Sequence, residues 1–370
     1  MLPQLPQELI DAIVEEVPEA SLPACSLATT PFVMSSQRRL FRRMTLSLPA
    51  YECTAHLLAA SPHLALYVRL LVLDVEGIPP DCEPLRTILT PLTELERLSV
   101  LGGKVGHEFE LNPYLGDLLS IPSLKFLELD GLAVPSSLIT RAFFSCEEVL
   151  LSNLRISDDG PSSLGNVWHI SVSSDMYNNV LSFVLDTKRG GSLPRLRRLS
   201  LTLPVNHFLR PMRAALLVSC SPTLEHLKMH WSVFSLVPPM LPFLPLLKVL
   251  ELWLDVTIIK SLPVLYSVIS AVIASTPHLE VLTLSLMDTR PYDKLAAANR
   301  QQWPESQPSV WAKIDSAFAD PHWLDLREVC FCLRAYGEEP KRFSGFIAFM
   351  QANLPRTFNA GMTRFSRVRP

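Results

Sequence analysis

Pro122-Ser123-Leu124-Lys125-Phe126-Leu127-Glu128-Leu129 is the stretch whose reading decides the fold. A proline stands two residues ahead of a Leu-x-x-Leu-x-Leu phrase. The last two leucines are two apart, so in a strand both point to one side, with Phe126 and Glu128 on the other. The proline fixes φ and ends any helix before it. The same phrase returns at Pro194 (Leu196, Leu199, Leu201) and at Pro222 (Leu224, Leu227, Met229). It returns again at Pro245 (Leu247, Leu250, Leu252) and at Pro277 (Leu279, Leu282, Leu284). Five copies with one spacing are not a chance arrangement.

Weaker copies fill the intervals: Val68/Leu71/Leu73, Leu95/Leu98/Val100, Cys146/Val149/Leu151, Val167/Ile170/Val172 and Leu326/Val329/Phe331. With the middle residue as marker, successive copies lie 21 to 32 residues apart, and the last step is 47. That step predicts an insertion between Asp288 and Asp320. Between the strands lie helical spacings such as Val264, Val268, Ile269, Val272 and Ile273. One strand and one helix cannot bury their apolar faces alone, so such units stack.

The pattern resembles leucine-rich-repeat proteins over residues 60–335. That resemblance implies an α/β fold, a solenoid with a parallel sheet on its concave face and helices outside. The family's usual Asn or Cys, three residues after the last strand leucine, is replaced here by Leu132, Leu154, Pro204, Ser232, Asp255 and Met287. Without an asparagine ladder the curvature is expected to be irregular.

A different pattern precedes the repeats. In Leu5-Pro6-Gln7-Glu8-Leu9, Pro6 suits a first helical turn, and Ile10, Ile13, Val14 and Val17 follow on one helical face. Leu22, Leu27, Ala28, Phe32, Leu40, Phe41 and Met44 come next in order. This stretch resembles an F-box, a small all-helical module, over residues 3–46. The family often has a basic residue followed by Trp where this chain reads Thr29-Thr30-Pro31-Phe32. The resemblance implies a substrate receptor. The F-box docks a Skp-family adaptor carried on a cullin scaffold, and the repeats hold a target while a recruited enzyme transfers ubiquitin. By position the adaptor-facing residues are Leu5, Pro6, Leu9, Ile13, Leu22 and Phe32. Two other readings stand beside it: a repeat scaffold whose N-terminal helices merely cap the array, and an enzyme whose residues converge only in the fold.

Composition bounds the possibilities. Lys and Arg number 33 against 36 Asp and Glu, a formal charge of −3, so whole-chain charge gives no reason to expect nucleic acid as a partner. Apolar residues at 48% exclude a disordered chain. Thirty-two prolines against 13 glycines disfavour glycine phosphate loops and favour rigid punctuation. Neither the proline-broken stretch from Ser235 to Leu247 nor the short one from Ser261 to Ser275 can span a bilayer. Met1–Leu9 has no basic segment of a signal peptide. The expectation is a cytoplasmic or nuclear protein with no membrane association. Its seven cysteines form no Cys-x-x-Cys pair and are expected to be free thiols. Cys330 and Cys332 would share one face of a strand.

No catalytic residue, cofactor or metal is nominated. His226 and His230 have zinc-helix spacing but lack the His-Glu-x-x-His arrangement and sit in an expected strand. Function is therefore sought on the open face, beside the inward leucines. Phe126, Arg198, His226, Lys228, His230, Glu251 and Trp253 are the candidate target contacts, because aromatic and arginine side chains dominate interfaces. The expected divisions are 1–48 for the helical module, 49–340 for the repeats, and 341–370 for a cap helix (Phe343, Phe346, Ile347, Met350) with a basic, solvated tail.

Overall fold

Each of the ten marker residues lies in a β-strand, paired in parallel with its neighbours wherever a register is defined. The computed structural model describes residues 5–78, 82–102, 113–156, 167–173, 195–202, 210–231, 241–255, 262–288, 308–320, 323, 325–335 and 340–368. The chain divides into two units, Met1–Val167 and Trp168–Pro370. The fold is α/β with parallel strands.

The first unit begins with three helices, α1 (Gln7–Glu16), α2 (Leu22–Ala28) and α3 (Thr30–Phe41). Ile10, Val14 and Leu22 are buried at their centre, with Val17, Phe32 and Leu40 packed around them. Arg39 ties α3 to the end of α1. Its Nη1 donates to the carbonyl of Val14, which also accepts the Val17 N–H, and to the carbonyl of Val17 just past the helix end.

Five parallel strands follow in this unit: β1 (Arg43–Leu46), β2 (Leu70–Asp74), β3 (Arg97–Leu101), β4 (Phe126–Asp130) and, after a short β5 (Ala133–Val134), β6 (Glu148–Ser152). Their register sets Met44, Leu71, Leu98, Leu127 and Val149 in one row and Leu46, Leu73, Val100, Leu129 and Leu151 in the next. All ten are buried. Helices α4 (Tyr51–Ala60), α5 (Glu83–Leu89), α6 (Pro113–Leu118) and α7 (Ser136–Ser145) lie between the strands and bury apolar faces of their own, such as Leu85, Ile88 and Leu89. β5 pairs with β7 (Arg155–Ile156) outside the main ladder. Where the repeat family carries Asn, Leu132 and Leu154 are buried instead. The neighbouring Asn153, at φ 50°, reaches back from its turn to Asp130 Oδ1 at 2.9 Å.

The second unit continues the pattern with β8 (His169–Ser173), β9 (Arg198–Thr202), β10 (His226–Trp231), β11 (Val249–Asp255), β12 (Val281–Asp288), β13 (Glu328–Ala335) and β14 (Thr363–Val368). Ile170, Leu199, Leu227, Leu250, Leu282 and Val329 align, as do Val172, Leu201, Met229, Leu252, Leu284, Phe331 and Phe365. Helices α8 (Arg210–Cys220), α9 (Leu262–Ser275), α10 (Pro308–Phe318), α11 (Pro340–Asn353) and α12 (Pro355–Asn359) complete the unit. At its last strands phenylalanines replace leucines: Phe331 stacks on Phe365 at 6.0 Å and meets Phe318 edge-on at 6.3 Å.

Two expectations need correction. The N-terminal stretch is not all helical to residue 48. Met44 and Leu46 alternate with exposed neighbours, and their strand β1 pairs with β2. The basic tail is not merely solvated either. Through Val368 it forms β14, because Phe365 fills the space beside Phe331 and Arg364 reaches Glu328 at 3.5 Å. The expected helix at 341–350 is present as α11, with Phe346 and Met350 buried. Of the expected insertion, 308–318 is α10, and residues 289–307 lie outside the described set. Among the described residues no helix is long and apolar enough to cross a membrane.

Asp315 on α10 fixes how the C-terminal helices close. Buried, it accepts from the backbone N–H groups of Arg356 and Thr357, both at 3.0 Å, and from Thr357 Oγ1 at 2.7 Å. Asp315→Ala would orphan donors at the start of α12. It is expected to cost about 2–3 kcal/mol in chemical denaturation, with the denaturant slope unchanged.

Candidate functional site

α1 is apolar on two sides. Ile10 and Val14 face the module's core, while Leu9 and Ile13, four apart on a second face, remain 51% and 45% exposed. Leu5, just before the helix, is 52% exposed, and Pro6 is exposed beside it. Leu27 on α2 and Met34 on α3 are also exposed. Of the six expected adaptor contacts, Leu5, Pro6, Leu9 and Ile13 are thus on the surface, and Phe32 is half-buried against the core. Leu22 is 0% exposed, enclosed with Ile10 and Val14. It is corrected from contact to core, because a side chain with no surface touches no partner. Leu27 and Met34 were readable only as apolar residues, and their exposure is a result of the helix packing.

The second surface is the open face of the second unit. Six of the seven candidate target contacts lie on the adjacent strands β9, β10 and β11, each alternating with a buried leucine or methionine. Glu251 organises them. Lys228 lies directly opposite it with Nζ 3.6 Å from Oε2, and His226, one step diagonal, places Nε2 3.0 Å from Oε1. The hydrogen bond from His226 holds the Glu251 carboxyl below the usual carboxylate range, opposed by partial burial and aided by Lys228. An ionised carboxylate only accepts, so Nε2 of His226 carries the proton in this contact. Lys228 also sits 4.4 Å from the Trp253 ring centroid, and Arg198 lies 5.7 Å from that of Trp168. His230 is opposite Trp253. These contacts hold cations beside aromatic rings on the open face.

Phe126, the seventh candidate, belongs to the first unit and is covered by the guanidinium of Arg97 at 4.1 Å. Beside it Ser99 donates to Glu128 at 2.7 Å. Cys330 and Cys332 share the face opposite Val329 and Phe331, as a strand requires. Their sulfurs are 3.7 Å apart, and Cys332 Sγ is 2.8 Å from Ser366 Oγ. Burial, then the neighbouring thiol, pushes the Cys330 pKa up to about 11. Among the described residues no three His, Cys, Asp or Glu side chains converge on a metal position.

Aligning Leu227 with Leu250 makes the Lys228–Glu251 pair legible in the sequence. The diagonal His226 contact and the placing of Lys228 over Trp253 are not, since both depend on rotamers. No protein-family model matches this chain, and no curated protein sequence matches it.

Glu251 gives this face an acid dependence. Its folded pKa is depressed, so its contribution to stability is present above the ordinary value near 4.5 and is lost as pH falls through the folded value. Glu251→Gln is expected to flatten the decline of unfolding free energy below about pH 4.5, measured by denaturant titration across pH.

Proposed function

We propose that this chain is the substrate-recognition subunit of a Skp–cullin–F-box ubiquitin ligase. The helical module at 5–41 acts as an F-box for a Skp-family adaptor, and the open face of an irregular leucine-rich-repeat array binds the target protein. The observation that carries the reading is the double-sided α1. A helix that has already spent Ile10 and Val14 on its own core still presents Leu9 and Ile13, next to Leu5. Exposed apolar side chains on one helix face fit a groove on a partner.

In this reading the protein supplies proximity alone. The adaptor side is apolar and rigid, braced by the bonds from Arg39 to the end of α1. The target side is charged and aromatic, with Arg198, His226, Lys228 and Trp253 as recognition groups around Glu251. Such a receptor works in the cytoplasm or nucleus, where the adaptor resides and its free thiols stay reduced.

Co-precipitation of the full-length chain with a Skp-family adaptor tests the proposal. The double variant Leu5→Ala, Pro6→Ala is expected to weaken capture by about tenfold or more, the loss of one to two anchor contacts. No capture of the parent chain, or undiminished capture of the double variant, would reject the adaptor role and leave a repeat scaffold. On the other surface, Trp253→Ala is expected to lose a captured target while keeping the adaptor. Loss of both would mark a folding defect instead.

A further inference from the structure

A cavity of about 330 Å³ opens in the first unit where α1 and α3 meet the chain leading into β2. Four guanidinium groups line it, those of Arg38, Arg39, Arg42 and Arg69, together with the carboxylates of Asp11, Glu15 and Glu96. Each carboxylate already has a partner within its own wall. Asp11 accepts from Ser35 Oγ at 2.5 Å and Gln7 Nε2 at 2.9 Å, and it also feels the charge of Arg38. Glu15 lies 3.8 Å from Arg39, and Glu96 lies 3.8 Å from Arg69.

The arginines divide accordingly. Arg39 is used on the carbonyls of Val14 and Val17, and Arg69 on the carbonyl and carboxylate of Glu94, at 2.9 and 2.6 Å. Arg38, beyond its charge interaction with Asp11, makes only a loose contact 5.8 Å from the Tyr67 ring centroid among the described residues. The Arg42 side chain makes no hydrogen bond or ion pair with any described residue. Arg42 caps the C-terminus of α3 with helical dihedrals, four residues after Arg38, so the two project to the same side. Counting Glu94, the four guanidinium groups meet four carboxylates, so the wall is neutral overall. Among the described residues, however, no carboxylate lies within ion-pair distance of Arg38 or Arg42, which border a space at the lower end of the usual ligand-pocket range of about 300–1,000 Å³.

We propose that this pocket binds a phosphate-type oxyanion, carried either as a free phosphate or on a phosphorylated side chain. Planar guanidinium forks match tetrahedral oxyanions, and a dianion answers two cations where a carboxylate answers one. An anion held by Arg38 and Arg42 on one wall and near Tyr67 and Arg69 on another would tie the helical module to the strand that follows it. The pocket uses Asp11, Val14 and Glu15 of α1, not the face bearing Leu9 and Ile13, so this site is independent of adaptor docking.

The test uses the full chain at constant ionic strength, with chloride replaced stepwise by inorganic phosphate and the unfolding midpoint recorded. A ligand of the native state raises that midpoint. Calorimetric titration with a phosphoserine peptide and its unphosphorylated twin runs in parallel. A rise with phosphate is expected, and Arg42→Gln or Arg38→Gln is expected to weaken binding by about ten- to a hundredfold, as for loss of a charge-assisted contact. The ligand-free midpoint of Arg42→Gln should match the parent, since that side chain holds nothing in place. Phosphate binding as tight as that of the phosphopeptide assigns the site to a free anion. A preference of about tenfold or more for the phosphopeptide, over both free phosphate and the twin peptide, assigns it to a modified side chain. No response to either ligand, or a response undiminished in both variants, overturns the proposal.

Discussion

Two apolar side chains on each strand can leave water only if the next strand sets its own pair beside them. Leu127 and Leu129 are buried because Leu98 and Val100 stand on one side and Val149 and Leu151 on the other. Each such leucine contributes about 1.5–3 kcal/mol by burial, a gain no single strand could collect. Parallel pairing in one register keeps the rows aligned. A slip of one residue would turn Phe126 and Glu128 inward and expose the leucines, so the alternation itself fixes the ladder.

The open face inherits its order from that register. The core's demand that Leu227 align with Leu250 is also what sets Lys228 beside Glu251 and His230 beside Trp253. Charged and aromatic side chains thus reach fixed neighbours without contributing to the core. Thiols facing the interior behave differently. Burial pushes Cys146 and Cys220 up to about 12, which keeps both protonated, as packing groups rather than nucleophiles.

The N-terminal module solves a harder problem, since three short helices offer little apolar area. Its small core around Ile10, Val14 and Leu22 is supplemented by polar ties: Arg39 on the last carbonyls of α1, and Gln7, Asp11 and Ser35 linking α1 to α3. Those ties hold α1 in place while leaving one of its apolar faces uncovered.

By itself the sequence determined which residues turn inward, where ten strands run, and that α1 and α11 are amphipathic, because period-two and period-3.6 patterns are local properties. It also placed six of the seven target candidates on neighbouring strands, since leucine phrases align by position. It could not reveal β1 and β14, whose short runs Met44/Leu46 and Thr363/Phe365 become strands only because β2 and β13 offer unpaired edges. It could not separate Leu22, in the core, from Leu9 and Ile13, outside it, since all three are apolar positions in the same pattern. Nor could it gather Arg38, Arg42 and Arg69 around one cavity. Those choices belong to packing between segments distant along the chain, which local periodicity does not encode.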